Sequence, residues 1–153
     1  MTNLSTLWAD GAFVQLAAGP AAHVIAVADW HQKTAALTPE VDVDRATARA
    51  LSLAGVSLAV ATRTNWCSRL QGHPDLFEIR INGVRYYGGN AGPAGAGVPV
   101  LLVLVLAGAE QKGGHRGADP AQIAAAQAAV AEARNRLAAA NVINLSDRRR
   151  QRR

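Results

Sequence analysis

The chain has a single cysteine, Cys67, among 153 residues, so no disulfide can close within it. A lone thiol of this kind fits a reducing cytoplasm. Aromatic residues make up only 5% of the chain and charged residues 18%. The core therefore has to come from Leu, Val and Ile clusters set among many alanines. Half the residues are apolar, which excludes wholesale disorder. No basic segment followed by a continuous apolar run opens the sequence MTNLSTLWADGAFVQL, so no signal peptide is expected. The most apolar stretch, Val98 to Ala109, is about a dozen residues long. A membrane helix needs about 20, and a buried strand is the better reading. There is no metal-spaced Cys/His cluster, no Walker loop and no nucleophile elbow. Neither a metal nor another cofactor is expected. His23, His31, His73 and His115 are scattered singly and read as surface or turn residues.

The net charge of +5 is unevenly placed. Arg148, Arg149, Arg150, Arg152 and Arg153 crowd the C-terminus, leaving eleven of the 16 basic residues against 11 acidic ones. The body is close to neutral. Residues 146–153 are expected to be a disordered Arg-rich tail with weak affinity for polyanions. Residues 1–145 are expected to form one domain, with 1–43 as a variable N-terminal part.

Two apolar runs, Ala12 to Ala18 and His23 to Ala28, are separated by Gly19-Pro20, a turn signal. They read as a hairpin, or as one strand with a lead-in. A short helix starts at Trp30 and is broken at Thr38-Pro39. DRATARALSLAG, from Asp44 to Gly55, reads as a helix capped by Asp42 or Asp44. Val56 to Ala61 fits either helix or strand. LFEIRI, Leu76 to Ile81, alternates with strand period. Asn82-Gly83 is a strong hairpin turn signal, and Val84 to Tyr87 runs back. The glycine-rich segment 88–99 reads as a loop. It lacks the basic residue and following helix of a phosphate cradle. Val100 to Leu106 is an unbroken apolar run, suited to a central strand buried on both faces. Asp119-Pro120 opens a helix expected to reach about Ala140, with Ile123, Ala126, Val130 and Leu137 on its apolar face.

The best chemical constellation is basic. Arg80 and Arg85 flank the Asn82-Gly83 turn, and Tyr86 and Tyr87 follow. Arg69 precedes the hairpin, and Lys112, His115 and Arg116 lie just after the apolar strand. Gathered at one sheet end, the arginines would grip phosphates and a tyrosine would stack a base. Scattered, Arg80 and Arg85 would be ordinary solvent-facing strand residues.

SRLQGHPDLFEIRINGVRYYG, residues 68–88, resembles the central signature of the RelE/ParE toxin superfamily. Leu70, Gly72, Leu76, Phe77, Ile79, Arg80 and Arg85 carry the match. LVLAGAEQKGGHRGADPAQIAAA resembles that family's last strand, basic loop and closing helix. Pro120, Ile123 and Ala126 match the Pro-x-x-Ile-x-x-Ala start of that helix in the HigB-like, phage-derived Gp49-like branch. The resemblance spans about 44–140 and is close over 68–126.

It implies an α+β fold: a small antiparallel sheet with two helices on one side and a long helix after the sheet. It implies a cytoplasmic toxin, growth-inhibiting and paired with a protein antitoxin. Many members are ribosome-dependent endoribonucleases that cut mRNA without metal. The RNA 2′-hydroxyl attacks the neighbouring phosphate while Arg and Lys stabilise the developing charge. Carried over, Arg80 binds phosphate, Arg85 stabilises the transition state, and Lys112 or Arg116 is the loop base. His115 takes the place of a missing C-terminal tyrosine as proton donor. Arg69, Tyr86 and Tyr87 would complete the RNA contacts. Glu78 stands where some members place a basic residue, and the loop is poorer in Lys and Arg than is usual. A ParE-like gyrase-targeting toxin and a non-enzymatic phage or accessory binding protein are the alternative readings.

Overall fold

The computed structural model describes residues 7, 10–37, 40–56, 58–81, 84–93, 102–111 and 120–151. It is an α+β fold built on one six-stranded sheet. The strands are β1 (Phe13–Ala18), β2 (Ala22–Val27), β3 (Cys67–Leu70), β4 (His73–Ile81), β5 (Val84–Pro93) and β6 (Leu102–Gln111). The helices are α1 (Trp30–Leu37), α2 (Glu40–Gly55), the short α3 (Leu58–Ala61) and α4 (Pro120–Gln151). The sheet order is β1-β2-β6-β5-β4-β3.

Strand direction follows from the path of the chain. β1 and β2 form an antiparallel hairpin across the Gly19-Pro20 turn. The chain then crosses through α1, α2 and α3 to the far edge. It returns by the antiparallel meander β3–β4–β5–β6. That return leaves β6 parallel to β2, with Val24 opposite Leu104 and Ile25 opposite Val105. The expectation of an antiparallel sheet is therefore corrected to a mixed one. The helical connection from β2 to β3 reverses the chain once and the meander reverses it three times more, so β6 ends up running in the direction of β2.

Alternation along the strands divides the core in two. Val24, Ala26, Phe77, Ile79, Tyr86, Leu104 and Leu106 pack with Trp30 of α1 and with Ala46, Ala50, Leu53 and Ala54 of α2. Ile25, Leu76, Tyr87, Val103, Val105 and Ala107 pack on the opposite face with Ala126, Val130, Ala133 and Leu137 of α4. Val103 to Gly108 of β6 are buried, on both faces of the sheet, as the unbroken Leu/Val run predicts. Burying a Leu or Val contributes about 1.5–3 kcal/mol, whereas an exposed ion pair contributes about 0–1. The two apolar interfaces of β6 thus outweigh the surface pairs in holding three layers together.

Several element boundaries differ from the sequence reading; β4 starts at His73, ahead of Leu76, and β6 runs from Leu102 to Gln111, past Leu106. α2 begins at Glu40, ahead of Asp44. α4 runs to Gln151, past Ala140 and through most of the Arg-rich end; no Gly or Pro follows Pro120 to stop an alanine-rich helix. The 88–99 segment is not all loop, because its first half, Gly88 to Pro93, continues β5. Glycine is required there by close approach rather than by a turn. A methyl on Gly88 would land on the Val105 carbonyl oxygen, and one on Gly89 would lie 2.6 Å from Val130 Cγ2 of α4. The glycine pair lets β6 and α4 both close on β5. Residues 94–99 lie outside the described residues.

α4 is also tied to the start of β1. Arg136 donates to Asp10 Oδ1 at 2.8 Å and to Glu132 at 2.9 Å, and its guanidinium lies 5.6 Å from the Phe13 ring centre. The Arg136 hydrogen bond holds the Asp10 carboxyl down from 3.8 to about 2.

Gly88→Ala should destabilise the fold by about 2–3 kcal/mol through overpacking against backbone, measured by chemical denaturation. Gly108→Ala is the control. Its added methyl meets the mobile end of Gln122 and should cost much less. A second expectation concerns acid. The Asp10 carboxyl is depressed in the fold, so its contribution is complete above about pH 3.8 and fades as pH falls toward 2. Asp10→Asn should lower the melting temperature at pH 7, and the gap to the parent chain should close near pH 2.

Candidate nucleic-acid interface

β4 and β5 place Arg80 directly opposite Arg85, and Arg85 in turn opposite Glu110 of β6. Residues paired across strands share a face. Leu76 and Tyr87 point to α4 while Ile79 and Tyr86 point to α1 and α2. Alternation therefore puts Glu78, Arg80 and Arg85 on the α4 side, at the hairpin end of the sheet.

Arg80 is restrained rather than loose. Ser68 Oγ of β3 donates to Glu78 Oε1 at 3.3 Å, and Arg80 Nη2 reaches Ser68 Oγ at 3.5 Å. Arg80 Nη1 lies 3.7 Å from Glu78 Oε1. Glu78 is buried, so a carboxylate at the foot of the network faces a guanidinium that is about one-third exposed. The Arg80 and Arg85 Nε atoms are both buried without a hydrogen-bond partner among the described residues. Like charges directly opposite on adjacent strands cost on the order of half a kcal/mol. Unpaired buried donors add to that cost. An anion seated between the two guanidiniums would relieve both.

The other expected site residues are distributed differently. Arg69 is exposed and pairs with Phe77, whose ring enters the α1/α2 core. It lies on the face away from the arginine pair. Tyr86 is 1% exposed and packs against Trp30 with ring centres 5.8 Å apart. Tyr87 is fully buried under α4. Both tyrosines are core residues and offer no ring face to a base. A strand residue flanking a basic turn reads as exposed only when the sheet has one open face, and this sheet is covered on both. Lys112, His115 and Arg116 lie outside the described residues.

Behind the network, Cys67 is fully buried, and burial pushes its thiol up to about 11. It is a packing residue and no nucleophile. Among the described residues no group of three His, Cys, Asp or Glu could hold a metal ion, and no helix is long and apolar enough to cross a membrane.

A feature without a signature in the sequence lies further down β4 on the same face. The start of β4 and the middle of α4 enclose a cleft of about 350 Å³. His73 and Asp75 come from β4, and Gln127 and Arg134 from α4, more than fifty residues away. Gln127 Nε2 meets His73 Nδ1 at 3.3 Å. Arg134 Nη2 donates to the Asn90 carbonyl at 2.8 Å and stands 4.0 Å from Asp75 Oδ2.

No family model, curated protein or solved structure matches this chain.

Cys67 should resist a thiol reagent such as Ellman's at pH 8 in the folded protein and react at once in denaturant. Reactivity should rise only as the pH approaches 11.

Proposed function

We propose that this chain is the toxin of a toxin–antitoxin pair, of the RelE/ParE type and its HigB-like branch, acting on mRNA in the ribosome as an endoribonuclease. The observation that carries the reading is the Arg80–Arg85 pair, two arginines directly opposite each other on neighbouring inner strands, each with a buried Nε that has no hydrogen-bond partner among the described residues. The order of elements supports it as well. Helices on one face of the sheet, an antiparallel meander and a closing helix follow one another, in keeping with the two helices, sheet and closing helix that the resemblance over about 44–140 implies.

In this reading an RNA strand lies along the α4 side of β4 with one phosphate between Arg80 and Arg85. The 2′-hydroxyl oxygen attacks that phosphorus, and negative charge grows on the two non-bridging oxygens. Departure of the 5′-oxygen then leaves a 2′,3′-cyclic phosphate. Arg85 stabilises the growing charge, and Arg80 holds the ground-state phosphate. Donors preorganised against developing charge are commonly worth a hundredfold or more in rate. Ser68 and Glu78 position Arg80 rather than touching RNA. His115 and Lys112 remain the proposed proton donor and loop base, with Arg116 beside them. The antitoxin would be a small protein that covers the arginine pair until it is degraded.

Burial of both hairpin tyrosines favours a second reading, a ParE-like toxin that binds gyrase. The arginine pair then has no stacking platform beside it because its partner is a protein.

Expression without antitoxin should arrest growth and fragment translated mRNA. Arg85→Ala should reduce cleavage at least a hundredfold, or about 2.7 kcal/mol, and restore growth, read by primer extension and plating. Arrest with intact transcripts and blocked supercoiling would move the assignment to gyrase. Unimpaired growth would leave only the accessory binding protein.

A further inference from the structure

The cleft between β4 and α4 is built like a site for a flat, uncharged, hydrogen-bonding ring. Its floor is apolar, with Leu76 and Val130 each only 3% exposed. Gln127, Val130 and Arg134 recur on one face of α4 at helical spacing, so the floor and two rim groups come from a single rigid element. The rim offers both kinds of partner. Asp75 is an exposed carboxylate and only accepts. Arg134 has five N–H donors, of which one is spent on the Asn90 carbonyl. At 4.0 Å its contact with Asp75 is an ion pair too long to be a hydrogen bond. One positive and one negative charge side by side nearly cancel, so the cleft disfavours a free phosphate and suits a neutral ligand.

We propose that this cleft binds a guanine base. Guanine is the base whose neighbouring edges match the pair. O6 and N7 accept from a guanidinium fork, while N1–H and N2–H donate to a carboxylate next to it. Adenine presents the N1 lone pair to Asp75 where guanine presents N–H. Cytosine and uracil lack the two adjacent donors. Gln127 and His73 close the side of the ring, and the Leu76–Val130 floor lies beneath it.

The placement ties the cleft to the arginine pair. Leu76 and Arg80 lie on the same face of β4 four residues apart, about 13 Å along the strand. A short single strand with its guanine in the cleft would lay a neighbouring phosphate near Arg80. The identification of the ligand as part of an RNA rests on the function proposed above. The affinity of the cleft for free guanosine does not.

The test is calorimetric titration of the full chain with guanosine, adenosine, cytidine and uridine, and with free leucine as a zwitterion of like charge balance. Guanosine should bind at least tenfold more tightly than any of the others. Asp75→Asn should weaken it tenfold or more with an unchanged melting temperature, because Asp75 is exposed. Arg134→Lys, which keeps the charge and loses the fork, should weaken it as well. Absence of saturable guanosine binding, equal binding of all four nucleosides, tighter binding of leucine, or indifference to Asp75→Asn would each overturn the proposal. Growth arrest without guanosine binding would sink the cleft and spare the toxin reading. Guanosine binding without growth arrest would do the reverse.

Discussion

β6 must be kept from water on both faces, and the rest of the molecule is arranged to do it. Val103 and Val105 need a cover on one side, Leu104 and Leu106 on the other. One layer of helices cannot serve both. α1 and α2 take one face, and α4 returns after the sheet to take the other. The strand beside β6 must in turn let α4 come close. Gly89 of β5 supplies that room, since a side chain there would strike Val130, while Gly88 lets β6 itself pair closely with β5.

This arrangement also shapes what is left for function. α4 runs over β5 and β6 and leaves the β4 side of the same face less covered. Two features survive there: the arginine pair at the hairpin end, and the cleft beside Leu76 and Val130. The cleft depends on α4 being held close, because α4 is one of its walls. The same layering removes Tyr86 and Tyr87 from the surface. Large side chains next to a two-sided strand are drawn into the two cores.

The electrostatics follow a similar logic. The Arg-rich end dominates the net charge, yet the charges with structural meaning are few. Asp10 and Arg136 join the start of β1 to α4. Glu78 and Ser68 restrain Arg80. Asp75 and Arg134 face each other loosely across the cleft. A tight pair is a fastening, whereas a loose pair, or a like-charged one, leaves hydrogen-bonding capacity for something else.

Much of the fold could be read from the sequence alone, because its signals are local. Period-two alternation in LFEIRI, the Asn82-Gly83 turn, the unbroken apolar run of β6 and the Asp119-Pro120 start of α4 each specify an element without reference to its neighbours. The adjacency of Arg80 and Arg85 was legible too, because a two-residue hairpin turn sets the register. Tertiary structure alone decided the parallel pairing of β2 with β6, the strand character of Gly88 to Pro93, the burial of both tyrosines and the meeting of His73 and Asp75 with Gln127 and Arg134. The physical reason is the same in each case. These features depend on which surfaces meet across long stretches of chain, and glycine, tyrosine and single charged residues carry no periodicity that announces their partner.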